Sequence, residues 1–354
     1  MIYPEDAVFD MTVKEESVGL NMVTLNDIAK KAGVSTSTAS RAFQENASIS
    51  QQMRDRVYQA AKELNYTPNL LARGLKSNRS HLIGLDICDI ENPFYSLIIK
   101  AMEDELKKLG YQLVLSYSNG DCREERKNLE LFMGMQAMGV VFMPTSSKNR
   151  NLVSLMTKRG MAMLQLFNKV YDFVDTISIM DDRGTQRATR HLITNGHRKI
   201  LLLNVTTPYS TDRADGYRKA MEEASLPVDE RYIVAMDRVS DPCGRIQELI
   251  DELHPTAIIS GVYFLGKNVV RACRKMNLQI PRDISMITID DVEWPELLDI
   301  TAVAQPIEYV GMSAVRILMD RINGTIDSQQ PVAISVDPEM QIRKSVQNIR
   351  KQNR

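Results

Sequence analysis

The chain has 354 residues, 44% hydrophobic and 25% charged, with a formal net charge of -1. That length holds about two or three domains with room for a substantial core, and the composition excludes a disordered or fibrous chain. No apolar run approaches the ~18 residues of a membrane helix, and MIYPEDAVFD at the start lacks the basic-then-apolar pattern of a secretion signal. A cytoplasmic protein is expected.

Cys88, Cys122, Cys243 and Cys273 form no C-x-x-C pair, and the four His form no H-E-x-x-H. Neither a disulfide framework nor a local metal motif is expected; the four thiols read as ordinary buried cysteines.

The charge is uneven. Residues 1–21 carry a net -4 and residues 81–354 a net -2, whereas Met22 to Ser80 holds nine basic and four acidic residues, a net +5. A compact basic module suits a phosphate backbone. The first 21 residues lack helical periodicity, so they read either as a disordered tail or as an extension ahead of a natural start at Met22.

Within the basic module, Thr24 can cap a helix through LNDIAKKAG, with Asp27 as its capping-box partner. Leu25, Ile28, Ala29 and Ala32 share one face, and Gly33 stops the helix. Ser35 caps a second helix, TSTASRAF. Ala39, Ala42 and Phe43 face inward there, while Thr36, Ser37, Ser40 and Arg41 face outward. Two short helices about a glycine turn make a helix-turn-helix, whose second helix can reach base edges and phosphates in the major groove. A third helix, SQQMRDRVYQAAKELN, turns Met53, Val57, Ala60, Ala61 and Leu64 to the core. Pro68 and Asn69 then open LLARGLK, too short to be stable alone and weakened by Gly74. DNA and a twin helix from a second subunit would hold it.

VTLNDIAKKAGVSTSTASRAF followed by NYTPNLLARGLKSNRSHLIGL resembles the head and hinge of the lactose-repressor/galactose-repressor (LacI/GalR) family of bacterial transcription regulators, and the resemblance runs from Met22 to about Val346. It implies that Thr36 and Ser37 read bases, that Arg41 contacts the operator, and that Thr24, Ser35 and Ser40 touch phosphates or base edges. It also implies that Leu75 wedges into the minor groove at the centre of the site, which kinks DNA; the plainer alternative for Leu75 is a buried core leucine. Gly74 departs from the side chains many relatives carry there.

From His81 onward, apolar runs (LIGLDIC, YQLVLSYS, GVVFMP, MAMLQLF, ISIM, KILLLNV, TAIISG, ISMITID) alternate with amphipathic stretches. In YSLIIKAMEDELKKLG, Ile98, Met102, Leu106 and Leu109 share a face and Gly110 ends the helix. Alternation of this kind argues for parallel sheets flanked by helices. Its length suits two lobes with a cleft between them, and ligands in such folds bind at the carboxyl ends of strands. The resemblance implies the same, a body similar to two-lobed periplasmic sugar-binding proteins. Its motifs here are DIENPFY (Asp89–Tyr95), NGHRKI, DRADGYRKA, PRDIS, IDD and QPI.

Phe94 and Tyr95 follow the first body strand and would face the cleft. The resemblance implies effector contacts from Arg213, whose guanidinium can fork onto hydroxyls or a carboxylate, and from Asp290 as an acceptor. Asp182, Arg183 and Trp294 are further candidates. For each, the alternative is an ion pair or core contact between lobes. Where relatives carry A-N-D after the strand TAIISG, this chain has Val262 and Tyr263, removing two polar groups from the wall, and Asn268 replaces a usual glycine.

The expected layout is 1–21 extension, 22–68 helix-turn-helix domain, 69–80 hinge helix and linker, 81–346 effector-binding and dimerisation body, and 347–354 polar tail. The expected function is a ligand-responsive repressor of carbohydrate or related metabolic genes. It would bind a pseudo-palindromic operator as a homodimer and respond to a sugar or sugar derivative, with no cofactor, metal or membrane partner. SVQNIRKQNR at the end lacks the leucine heptads of a tetramerising coiled coil. One alternative keeps the DNA reading with a protein corepressor as trigger; another is a free-standing sugar-binding protein. An enzyme is not expected: no G-x-x-x-x-G-K-[ST], G-x-G-x-x-G or G-x-S-x-G occurs, and His197 is a lone candidate base.

Overall fold

Three capped helices form the first unit of the computed structural model, which describes residues 23–43, 47–66, 80–205, 211–236, 241–327 and 330–351. Helix α1 (Leu25–Ala32) opens on a capping box: the Thr24 hydroxyl accepts from the Asp27 N–H at 3.3 Å, and the Asp27 carboxylate accepts from the Thr24 N–H at 2.9 Å. Gly33 ends it at φ +62°, where a side chain would be strained. Helix α2 (Thr36–Ala42) is capped by Ser35, whose Oγ accepts from the Thr38 N–H at 3.1 Å. Helix α3 (Gln51–Glu63) is capped by Ser50. Ile28, Ala29, Ala32, Ala39, Ala42, Val57, Ala60 and Ala61 form the core, with Leu25, Phe43 and Leu64 packed against it. The many alanines let the helices approach closely. Met53, expected inside, is 36% exposed. It lies in the first turn of α3, ahead of the stretch from Val57 that meets the other helices.

Contacts divide the chain into Met1–Lys76 and Ser77–Arg354. Residues 1–21, Gly74 and Leu75 lie outside the described residues, so the tail and hinge-helix expectations are not addressed by the fold.

The second unit holds two six-stranded sheets. Lobe 1 contains β1 (Leu82–Ile87), α4 (Pro93–Lys108), β2 (Gln112–Tyr117), α5 (Cys122–Gly134), β3 (Gly139–Phe142), α6 (Arg150–Lys158), β4 (Ala162–Leu166) and β5 (Asp175–Ile179). Lobe 2 contains α7 (Asp181–Thr194), β6 (Ile200–Val205), α8 (Thr211–Glu223), β7 (Ile233–Met236), α9 (Pro242–Leu253), β8 (Ala257–Ser260), α10 (Tyr263–Lys275), β9 (Ser285–Ile289), α11 (Trp294–Leu297) and β10 (Thr301–Ala304). The chain then returns to lobe 1 through α12 (Ile307–Asn323) and β11 (Ala333–Val336) and ends in lobe 2 with β12 (Glu339–Gln341). The orders are β11-β5-β4-β3-β1-β2 and β12-β10-β9-β8-β6-β7, parallel except for the β10–β12 pair. Strands β3, β4, β8 and β9 are buried along their whole length, as central strands covered by helices on both faces must be. The chain thus crosses between lobes three times: after β5, between β10 and α12, and between β11 and β12.

The eight apolar runs read from the sequence all contain strands; β7, β10, β11 and β12 are short and were not among them. Leu109 is 52% exposed instead of buried, because α4 has already ended at Lys108. Cys243 and Cys273 are buried, but Cys88 and Cys122 are only partly so. His197 is buried with both ring nitrogens engaged, by Thr256 Oγ1 at 3.0 Å and the Gln347 carbonyl at 3.1 Å, a structural placement. Gln347 and Ile349, expected in a polar tail, are tied into lobe 2 by bonds to Ser285 and Asn195. Among the described residues no helix is long and apolar enough to cross a membrane.

Candidate nucleic-acid interface and ligand cleft

On the head, Ser35, Thr36, Ser37 and Arg41 are exposed and Ser40 half-buried, on the side of α2 away from Ala39 and Ala42. Ser35 Oγ lies 2.8 Å from both Ser37 Oγ and Thr38 Oγ1, so the turn presents a linked run of hydroxyls. Thr36 Oγ1 reaches Asn26 at 3.5 Å. Thr24 is committed to its capping box, with Oγ1 2.6 Å from Asp27 Oδ2. Thr36, Ser37 and Arg41 are therefore the outward groups of the second helix, which is the element that enters a major groove in this motif.

In the body, every cleft candidate follows the carboxyl end of a strand. After β1, Asn92 caps α4 through Phe94 N–H, and Pro93 sits in its first turn. Phe94 is 5% exposed, its ring 5.3 Å from that of Tyr95 and 5.5 Å from that of Phe167. The Tyr95 hydroxyl lies 2.9 Å from Cys88 Sγ. Burial first, then Cys88, Asp290 and Asp89, hold its proton well above the usual phenol range; Tyr263 and Val292 of lobe 2 share the buried apolar cluster of Phe94, with Tyr95 and Trp294 packed against it.

Arg213, in the first turn of α8, pairs with Asp181 at 2.8 Å, both largely buried. Its Nη1 lies 3.5 Å from Asn204 Oδ1, and its Nε is buried without a partner among the described residues. The approach depends on Gly216: a Cβ there would drive into the Asp182 carbonyl oxygen of α7. Burial raises the Asp181 carboxyl, with Arg213 opposing.

Asp290 follows β9 with φ +74°, a left-handed backbone for a non-glycine residue, the kind of local strain that persists where a side chain has to be aimed. It is 5% exposed and accepts from Gln305 Nε2 at 2.8 Å. Burial pushes its pKa up to about 7, Arg213 pulling down and Asp181 pushing up. Neighbouring Asp291 is turned away, held by Arg343 at 2.8 and 2.7 Å. Trp294 packs against the cores of both lobes; its Nε1 is buried without a partner among the described residues. Tyr263 is 6% exposed and donates to Glu293 at 3.1 Å, with Lys267 Nζ 4.5 Å from its ring.

Phe94, Tyr95, Arg213, Asp290 and Trp294 thus belong to one neighbourhood. Arg183 does not join it. Arg183 is exposed and faces Asp337 on the third crossover at 3.7 Å, beside Arg187, which grips the same carboxylate at 2.7 Å. Asp182 is half-exposed, and it is Asp181 that meets the guanidinium. Asp181, Gln305 and Phe167 do not stand out in the sequence as site residues, although Gln305 lies in plain view in the QPI motif.

The raised carboxyls set a pH dependence. Asp290, near 7, and Asp86, raised by burial to about 6 despite bonds from Ser116 and Asn128, both lie above the ordinary aspartate value of 3.8. The folded state then keeps protons that the unfolded chain releases, so stability falls as pH rises from about 4 to about 7 and changes no further from this source above that. Buried His197, lowered from 6.5, acts oppositely below pH 6.5. Asp290→Asn should flatten the fall between pH 4 and 7 by a few kcal/mol, since each tenfold difference in proton affinity between folded and unfolded chain is worth roughly 1.4 kcal/mol. Denaturant titrations across that range check it; an unchanged slope would contradict the placement of Asp290.

A helix-turn-helix head joined to a two-lobed, periplasmic-binding-protein-like body defines a DNA-binding regulator. Residues 24–69 match the family described as "Bacterial regulatory proteins, lacI family", and residues 189–346 match a "Periplasmic binding protein-like domain". The HTH-type transcriptional repressor PurR of Proteus mirabilis (strain HI4320) is 32% identical over 333 residues, covering 92% of this chain and 97% of the relative. Among solved structures, the transcriptional regulator CelR–cellobiose complex is similar at TM-score 0.67 and 25% identity, over 91% of this chain and 99% of that one. The lac repressor dimer bound to operator and the anti-inducer ONPF is similar in fold at TM-score 0.77 and 22% identity, over 92% and 99%. The chain belongs to the lacI family of bacterial regulatory proteins. It is a DNA-binding transcriptional regulator and not an enzyme.

Proposed function

We propose that this protein is a cytoplasmic, homodimeric repressor whose hold on a pseudo-palindromic operator changes when a small hydroxylated metabolite, a sugar or sugar derivative, enters the cleft. The observation that carries the reading is the convergence of Arg213, Asp290 and an aromatic wall at the strand ends of a body joined to a DNA-binding head. Thr36, Ser37 and Arg41 read the major groove, with Thr24, Ser35 and Ser40 at phosphates or base edges and Leu75 as the minor-groove wedge. One head makes too few base contacts for specificity, so two copies read two half-sites; the lac repressor is held on its operator as a dimer in the same fold. In the cleft, Asp290 accepts from the ligand, Arg213 orients it through its remaining donors, and Phe94, Tyr95 and Trp294 cover its apolar faces. Asp182 and Arg183 stand at the crossovers, where lobe movement is transmitted. The cellobiose complex of CelR supports a carbohydrate-sized ligand.

The test is selection of genomic fragments by the full chain, followed by affinity measurements on the recovered duplex. The net +5 of Met22–Ser80, head and hinge together, requires that affinity fall steeply with salt, by at least about tenfold between 50 and 200 mM for several phosphate contacts per subunit. A flat salt response, or no fragment preferred over random duplex, would overturn the reading.

A further inference from the structure

Where β5 and β11 leave lobe 1, a single residue separates one lobe from the other. The two strands run in register, Ile179 opposite Val336, and their last rung is the Met180 N–H donating to the Val336 carbonyl at 2.9 Å. The next residue of each strand is already fastened to lobe 2. Asp181 pairs with Arg213 of α8 at 2.8 Å. Asp337 is held by Arg187 of α7, whose Nη2 and Nη1 donate to its two carboxylate oxygens at 2.7 and 3.2 Å. Nη2 also donates to the Pro338 carbonyl. Pro338 in turn lies against Gly184 of α7, where a Cβ would come within 2.9 Å of the Pro338 ring and of Val303 in β10. The third crossover is thus tied at three successive residues, and a two-pronged fork fixes direction as well as distance. The second crossover is tied to lobe 2 through Gln305, which donates to Asp290 at 2.8 Å. Two of the three fastenings use residues proposed to meet the ligand, Arg213 and Asp290. The fork of Arg187 on Asp337 uses neither.

We infer that Arg187 is the positioning residue of the hinge between the lobes. By fastening Asp337 to α7 it makes the first and third crossovers swing as one pair, with the bending confined to Met180 and Val336, and it keeps populated the lobe arrangement in which the chain binds operator. The link to the operator rests on the functional reading above; the fastening itself does not. The two side chains of the fork are 35% and 44% exposed, so added salt reaches and weakens it.

Asp337→Asn, Arg187→Met and the double variant test it in the full chain, with no ligand needed. The readouts are hydrogen exchange at the Met180 amide, affinity for the selected duplex and the urea midpoint. Asp172→Asn, which breaks a surface pair with Arg150 inside lobe 1, is the control. Each hinge variant should speed Met180 exchange by at least about threefold, because the last rung opens more often once the crossover can lift. The double variant should be no faster than the faster single one, since both remove the same contact. Operator affinity should fall by at least about threefold, in proportion to the lost population of the competent arrangement, while the urea midpoint stays in place. Raising salt from about 50 to about 500 mM should speed Met180 exchange in the wild type and not in Asp337→Asn. The control should change none of these. Unchanged Met180 exchange in Asp337→Asn would overturn the fastening. Faster exchange with unaltered operator affinity, or faster exchange throughout the chain with a lower urea midpoint, would overturn the positioning role and leave the regulator reading intact. A wild-type chain that prefers no duplex would overturn that reading and the operator half of the inference, and the exchange comparison would still decide the hinge.

Discussion

Arg41→Ala should weaken operator binding by at least fivefold, and by up to about 150-fold, while leaving the fold of the head intact. A good bidentate contact to a base is worth about 1–3 kcal/mol, which spans that range. Arg41 lies in the last turn of α2 and is exposed, on the side opposite Ala39 and Ala42, which are fully buried. Removing it strips a groove-facing group and leaves the core unchanged. Fluorescence anisotropy on a selected duplex gives the affinity, and circular dichroism with thermal melting gives the control. Unchanged affinity would remove Arg41 from the interface. Thr36→Ala and Ser37→Ala should alter which bases are preferred more than total affinity, since short hydroxyls contribute less charge to the phosphate term.

Gly216→Ala should be the most damaging single-methyl change in the body, at roughly 3 kcal/mol, the upper end of typical overpacking penalties. The added carbon meets the Asp182 backbone oxygen, which cannot swing aside as a side-chain tip can. Relief requires α8 to withdraw from α7, which pulls Arg213 from Asp181 and disturbs buried Ala188, Leu192, Tyr217 and Met221 between these helices and the sheet. Urea titration should show a lower midpoint at an unchanged slope. A loss under about 0.5 kcal/mol, no more than an ordinary surface change, would mean that the helices do not pack backbone to backbone.

What the sequence made legible was local. Thr24 with Asp27, Gly33, Ser35 and Asn92 each cap or stop a helix through bonds spanning two to five residues, so pattern alone placed them. The alternation of apolar runs placed eight strands for the same reason. What escaped depends on neighbours distant in the chain. Nothing in Met180–Arg183 says that Asp181, and not Asp182 or Arg183, meets Arg213; the phase of α7 against α8 decides it, and that phase is set by Gly216 and by the grip of Arg187 on Asp337. Gln305 becomes a cleft residue only because the second crossover passes beside β9. The strands β7, β11 and β12 lie at sheet edges and are partly exposed, so they carry no continuous apolar run, unlike β3 and β8, which are as short but fully buried. Tyr263 reads in the sequence as a lost polar wall; its hydroxyl instead rebuilds a polar contact with Glu293, which sits at φ +61°.

Coupling between the cleft and the operator is the property on which the functional reading turns. By linkage, a ligand that changes operator affinity must have its own affinity changed by the same factor when operator is bound. The direct measurement is the dissociation constant of the full chain for its selected duplex, with and without a compound that stabilises the body, paired with that compound's affinity for the free and the DNA-bound protein. The expected result is a shift of at least fivefold in operator affinity, mirrored by an equal shift in ligand affinity and abolished by Asp290→Ala. Saturating ligand that leaves operator affinity unchanged would contradict a ligand-responsive repressor.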